Sequence, residues 1–162
     1  MPNWVDNKLL VIAEKGKEKN LREILDTEFQ FQTFLPIPFD LDTVKNPDAK
    51  TKASSEDNPV AQKEMIEKYG AEDWYHWCLN NWGTKWDRSD YEVVSDEWKE
   101  GSIEVFFRTP WSPPTEILKI ISKKYGVRII DHFEEEGFMS AGHLEFKNGQ
   151  SGLYHYFKEV DK

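Results

Sequence analysis

Apolar positions alternate with polar ones in several short runs and recur at helical spacing in others. Trp4 to Ala13 reads as a strand, with Leu9, Leu10, Val11 and Ile12 apolar enough to be covered on both faces. Gly16 ends it, and Lys17 to Thr27 then places Leu21, Ile24 and Leu25 on one side of a helix. Phe29, Phe31, Phe34, Leu35 and Ile37 follow, but Pro36 and Pro38 forbid a regular central strand. An irregular segment whose aromatics plug an edge of the core is expected there. Asp40 to Asn58 is dominated by Asp, Lys, Ser and Asn and predicts a mobile loop, residues 40–58.

Asn58-Pro59 is a helix start, and Val60 to Tyr69 carries Met65, Ile66 and Tyr69 inward. A second helix is expected from about Ala71 to Asn81, with Glu72 and Asp73 in its first turn. Two strands, Tyr91 to Ser95 and Ser102 to Thr109, precede a helix from about Pro113 to Tyr125 that stops at Gly126. Val127 to Glu136 and Met139 to Lys147 flank Gly137-Phe138, a Gly-first turn of the II′ kind. Asn148-Gly149 is the strongest hairpin signal in the chain and leads into a last strand, Ser151 to Phe157.

With residues 29–89 set aside, the order is strand, helix, strand, strand, helix, strand, then two hairpin strands. This predicts an α+β fold: a ferredoxin-like split βαβ antiparallel sheet, extended by a C-terminal hairpin. Residues 1–162 form a single domain, and 29–89 is an aromatic-rich insertion with two helices. A length of 162 residues suffices for one hydrophobic core without staples.

Charge and cysteine content narrow the class. The formal net charge of −9 argues against direct nucleic-acid binding, which usually needs a basic stripe, and leaves a basic protein partner open. Cys78 is the only cysteine, so neither an internal disulfide nor a cysteine-built zinc site is expected. No apolar run approaches bilayer length, and Met-Pro-Asn-Trp reads as no signal peptide. A cytoplasmic protein without a membrane segment, cofactor or metal is the expectation.

Four words carry a resemblance. Met1-Pro-Asn-Trp4 with Asn7, Phe34-Leu-Pro-Ile-Pro38, Trp77 with Asn81-Trp-Gly-Thr-Lys-Trp-Asp87, and Thr109-Pro-Trp-Ser-Pro-Pro114 occur in this order. In them the chain resembles the YubB-like proteins, a phage- and plasmid-borne family with a ferredoxin-like domain. Val5 departs from the pattern, since the resemblance implies a cysteine there. The resemblance implies the fold and a mobile-element origin, and it transfers no catalytic residue.

Three candidate sites follow. Trp74, Trp77, Trp82, Trp86 and Trp111 crowd into two stretches and either roof the sheet or line a cleft. In the cleft reading Trp82, Trp86 and Trp111 form walls, while Asn80, Asn81, Thr84 and Lys85 supply polar contacts. Hairpin arithmetic gives the second site. Pairs across Gly137-Phe138 sum to 275 and pairs across Asn148-Gly149 sum to 297, so His132 faces His143 and His143 faces Tyr154. Glu134, Glu145 and Tyr156 share that face, with Phe133, Leu144, Phe146 and Leu153 opposite. Such a row is either solvated decoration or a source of acid–base or metal-ligand chemistry. Third, Asp131 to Glu136 holds four acids in six residues, an ordinary solvated strand end or an imitation of a nucleic-acid backbone.

No phosphate-binding Gly-rich loop and no Gly-x-Ser-x-Gly elbow is present. The leading expectation is a non-enzymatic protein-interaction module whose partner is a host or mobile-element protein. The alternative is a small-molecule binder or small hydrolase using the Trp-lined cleft or the His/Tyr row.

Overall fold

The computed structural model describes residues 2–42, 59–137 and 140–158. Six strands form one antiparallel sheet: β1 (Trp4–Ala13), β2 (Ser89–Glu97), β3 (Ser102–Pro110), β4 (Val127–Glu135), β5 (Ser140–Lys147) and β6 (Gln150–Lys158). Their order, β2-β3-β1-β4-β5-β6, is the ferredoxin-like arrangement with β5 and β6 added beside β4. The helices are α1 (Glu18–Asp26), α2 (Phe31–Phe34), α3 (Phe39–Asp42), α4 (Pro59–Tyr69), α5 (Trp74–Asn81) and α6 (Thr115–Tyr125). Among the described residues no helix is long and apolar enough to cross a membrane.

Strand alternation shows which face is covered. Val5, Asn7, Leu9 and Val11 of β1 are buried, as are Ile103, Val105 and Phe107 of β3 and Ile129, Asp131 and Phe133 of β4. Leu21 and Ile24 of α1, and Ile117, Leu118 and Ile121 of α6, join the same core. The opposite face keeps Lys8, Glu104 and His132 in solvent and leaves Leu10, Ile12 and Ile130 half-buried. The expectation that Leu9 to Ile12 would be covered on both faces is therefore corrected. All the packing helices serve one side, so every second residue of β1 stays on an open face.

Residues 29–37 plug the core as the prolines suggest. Phe29, Phe31 and Phe34 are buried, and Phe29 and Phe31 both stack on Phe107, with centroids 5.6 and 5.7 Å away. Two short helical turns, α2 and α3, add to the two helices expected in the insertion. The loop expected over residues 40–58 begins instead as part of α3, and its residues 43–58 lie outside the described residues. Helix α5 begins at Trp74 rather than Ala71 because Asp73 is its N-cap. The Asp73 carboxylate accepts the His76 N–H at 2.8 Å. Met65 and Tyr69 pack on the core, whereas Ile66, expected inward, is exposed.

Both hairpin registers can be followed. Pairs between β4 and β5 sum to 275 throughout, so His132 opposes His143. Asn148 and Gly149 both have positive φ, 53° and 77°, as a type I′ turn requires. Phe138 of the other turn is outside the described residues. Between β5 and β6 the sum of 297 holds from Lys147–Gln150 to Leu144–Leu153, then shifts by one. His143 opposes His155, and Tyr154 is the extra residue of a β-bulge. The expected row through Tyr154 is corrected: a bulge puts two residues of one strand against one of its neighbour, which a turn-based count cannot anticipate.

Candidate functional site

The four sequence words meet at one corner of the fold, where hydrogen bonds tie them together. Asn7, buried in β1, donates from Nδ2 to Thr109 Oγ1 at 3.0 Å and to Val5 O at 3.1 Å. Thr109 donates its hydroxyl to Ser112 O at 2.7 Å, and Ser112 Oγ donates to Gly83 O at 2.7 Å. Thr84 Oγ1 donates to Pro110 O at 3.1 Å, and the Ile117 N–H in the first turn of α6 donates to Trp82 O. A helix start leaves such N–H groups without intrahelical partners, so the Trp82 carbonyl completes α6. Asp87 serves α2 in the same way, accepting from Phe31 N at 2.8 Å and Gln32 N at 3.0 Å. The Trp82 indole N–H reaches Leu35 O at 3.0 Å, joining the Phe34 word to the rest.

Gly83 explains why this corner closes. Its φ is +84°, and a Cβ there would stand 2.9 Å from Thr115 N and 3.0 Å from Glu116 N. Only glycine tolerates both the left-handed backbone and that approach to the start of α6.

Burial decides between the two alternatives: Trp74, Trp77 and Trp82 roof the sheet, and the cleft reading is corrected. Trp82 is only 2% exposed, packed edge to face on Phe31 and Trp77, and Thr84 is fully buried; neither can wall or line a cleft. Trp77 and Cys78 are core residues, and Trp74 packs on the core. Asn81 is half-buried and donates back to Trp77 O at 2.9 Å, while Asn80 is exposed. Trp86 and Trp111 remain in solvent, 41% and 47% exposed. Lys85 lies over the Trp86 ring with its ammonium 4.1 Å from the centroid. Trp111 has φ +69°, with Ser112 N donating to Pro110 O across it at 2.9 Å. That is the strained hand of the γ-turn, rare for a bulky residue. Its own N–H is held by Asn3 O at 2.9 Å.

The second candidate lies on the open sheet face. One transverse row runs Glu92, Phe106, Lys8, His132, His143 across β2, β3, β1, β4 and β5. The His132 and His143 rings meet edge to face with centroids 4.1 Å apart. A groove of about 350 Å³ lies over this face, lined by Lys8, Leu10, Val94, Glu104, Ile130, His132 and His143 among others. Flanking charges are paired: Asp6 with Arg108 at 2.8 Å, and Glu145 with Arg128. The Arg128 hydrogen bond holds the Glu145 carboxyl below its ordinary range. Glu134 is exposed beside the row.

Asp131 departs from the acidic-hairpin reading. Glu134 and Glu136 are exposed, but Asp131 is fully buried on the covered face, between Leu9 and Leu144 of the flanking strands. Neither carboxyl oxygen has a hydrogen-bond partner, and burial pushes its pKa well above the ordinary carboxylate value. Sequence reasoning passed over it as one acid among four. The signal was its parity, because it alternates with Ile129 and Phe133, both core positions.

Comparisons with known proteins come to bear on this geometry. Residues 81–160 match the family model described as a ferredoxin-like domain in Api92-like protein. Over the whole chain the fold is similar to the crystal structure of a protein api92 from Yersinia pseudotuberculosis. The TM-score is 0.56 at 10% identity, covering 100% of this chain and 99% of that one. At that identity the likeness extends to the fold alone. No curated protein matches. The matched segment holds β2 to β6 and α6; β1, the central strand, is contributed from outside it.

Proposed function

We propose that the protein is a non-enzymatic protein-interaction module of phage or plasmid type, acting in the cytoplasm. Its docking point is the corner bearing Trp86 and Trp111, and its partner is a host or mobile-element protein. The observation that carries this reading is Trp111: a bulky residue at φ +69° with its indole 47% exposed. A residue in that region costs on the order of 1–3 kcal/mol and persists where its surroundings over-determine it. Here the strain presents an apolar ring to solvent rather than burying one.

Both exposed indoles lie within two residues of the Thr84–Pro110 hydrogen bond, so both stand on the same fixed corner. Lys85 over the Trp86 ring further restrains that indole. Pre-ordered tryptophans are the side chains that most often anchor protein interfaces, because little conformational entropy remains to be lost. The net charge of −9 favours approach by a basic partner.

The test compares wild type with a Trp86→Ala/Trp111→Ala double variant as immobilised baits for lysates of a candidate host. A protein held by wild type, released by salt and not held by an equally stable double variant supports the reading. Equal retention on both baits would refute it.

The groove on the open sheet face favours a second reading, a small-molecule binder. Its volume of about 350 Å³ falls within the range of ligand sites, and apolar Leu10, Val94 and Ile130 meet polar Lys8, His132 and His143 there.

A further inference from the structure

The charges on the open sheet face are unevenly matched. Asp6 is paired with Arg108, and Glu145 with Arg128. Between those pairs stand Lys8 of β1 and His132 of β4, directly opposed across the two strands. Among the described residues neither of them forms an ion pair or a hydrogen bond. Opposed residues of an antiparallel pair hold their Cβ atoms about 4.5–5.5 Å apart, so one small anionic group reaches both side chains. The His143 ring packs edge to face on His132 and restrains its rotation.

The next row on the same strands is apolar. Leu10 opposes Ile130, both half-buried on the open face, and Val94 of β2 adds a third apolar side chain, 55% exposed. Both rows line the groove of about 350 Å³. Uncommitted donors beside an apolar strip complement a molecule with an anionic head and a hydrocarbon or aromatic body. We propose that the groove binds a small amphipathic monocarboxylate, with its head on Lys8 and His132 and its body over Leu10, Ile130 and Val94. The proposal rests on the reading of this groove as a small-molecule site and adds the chemical class of the ligand.

The surroundings restrict the ligand to a single charge. The Lys8 ammonium donates a charge-assisted hydrogen bond to a carboxylate, and His132 has a ring N–H to donate in either tautomer. Glu104 opposes Leu10 on β3 and lines the groove on the other side of β1 from His132. A second anionic group over the apolar strip meets that carboxylate. Glu134, exposed two positions from His132, likewise disfavours a multiply charged head such as a phosphate. Burial of the apolar body supplies the attraction that offsets long-range repulsion by the net charge of −9.

The experiment titrates the full chain by calorimetry with sodium octanoate, and separately with 1-octanol as its uncharged counterpart. Wild type is expected to bind octanoate saturably and 1-octanol about tenfold or more weakly. Lys8→Met is expected to weaken octanoate binding about tenfold and His132→Ala about two- to tenfold, with 1-octanol unchanged. Val94→Asp is expected to weaken both ligands, and Glu104→Gln to strengthen octanoate. Lys119→Met, on α6 at the covered face, removes the same charge and is expected to leave octanoate affinity within about twofold. Equal affinity for the two ligands, or wild-type octanoate affinity in Lys8→Met, would overturn the carboxylate assignment and leave the groove a small-molecule site. No saturable binding of either ligand would overturn both. Lys8 and His132 are exposed, so their replacement leaves the fold standing, which matching thermal melts verify.

Discussion

Asp131→Asn should make the protein's stability less dependent on pH and raise it at neutral pH. The wild-type side chain is fully buried, flanked by Leu9 and Leu144, with both oxygens unpartnered. Ionising it there would strand a charge in an apolar interior, so the native state holds it as the neutral acid. In the unfolded chain the same carboxyl ionises near its usual value of about 3.9. The native pKa lies above the unfolded one, which fixes the sign. Its contribution to stability is fully present below the unfolded pKa and is lost as pH rises towards the native one. The loss is somewhat over 1 kcal/mol, roughly, for each pH unit in that interval.

Asparagine has the same shape and cannot ionise, so the variant lacks this slope. It keeps a buried polar group without partners, as the neutral acid does, and the two proteins should agree within about 1 kcal/mol near pH 4. Above that the variant should pull ahead steadily. Urea unfolding of both proteins at intervals from pH 4 to 8 measures the difference. Asp40, lowered by hydrogen bonds from Tyr69 and Lys68, and Glu145, lowered by Arg128, titrate with the opposite sign. They are common to both proteins and cancel in the subtraction. A difference that stays flat with pH, or a variant less stable by the same amount throughout, would refute the reasoning. Either result would mean that Asp131 has a partner that stabilises its charge.

Gly83→Ala should cost about 2 kcal/mol or more, since the added methyl meets the α6 backbone at 2.9 Å and the backbone is left-handed. Thermal unfolding reads it, and a loss below about 0.5 kcal/mol would mean that the corner yields. Trp82→Ala should cost about 3–5 kcal/mol as a core truncation. Trp86→Ala, which gives up an exposed ring, should cost less than about 1 kcal/mol in the same denaturant series.

The parts of the fold legible in the sequence are those set by short-range chemistry. Asn148-Gly149 announces its turn because two positive φ values leave few other residues able to serve. The pairing of His132 with His143 follows from counting outward from a two-residue turn after Glu136, across which paired numbers sum to 275. The parts not legible depend on which long-range neighbour arrives. Whether Leu10 and Ile12 are covered depends on where the helices pack, and β1 carries the same residues either way. The bulge that admits His155 is likewise invisible locally, because Tyr154 and His155 both suit a strand.

The same distinction governs what the four sequence words can convey. Asn7, Trp82, Gly83, Thr84, Asp87, Thr109 and Ser112 supply the hydrogen bonds and the close approach that lock β1, α2, α6 and the β3 corner together. Apart from the Asn7 side-chain oxygen, which is buried without a partner, their polar groups are spent on one another, so a chain sharing these words shares the joint and need share no activity. Trp86 and Trp111 sit within the words, yet their indoles take no part in the joint. They are positioned by it. That is why an interaction role attaches to these two rings and not to Trp82, whose indole N–H is already committed to Leu35. Placing a polar side chain at Trp86 or Trp111 should therefore separate binding from folding, whereas the same change at Trp82 should weaken both together.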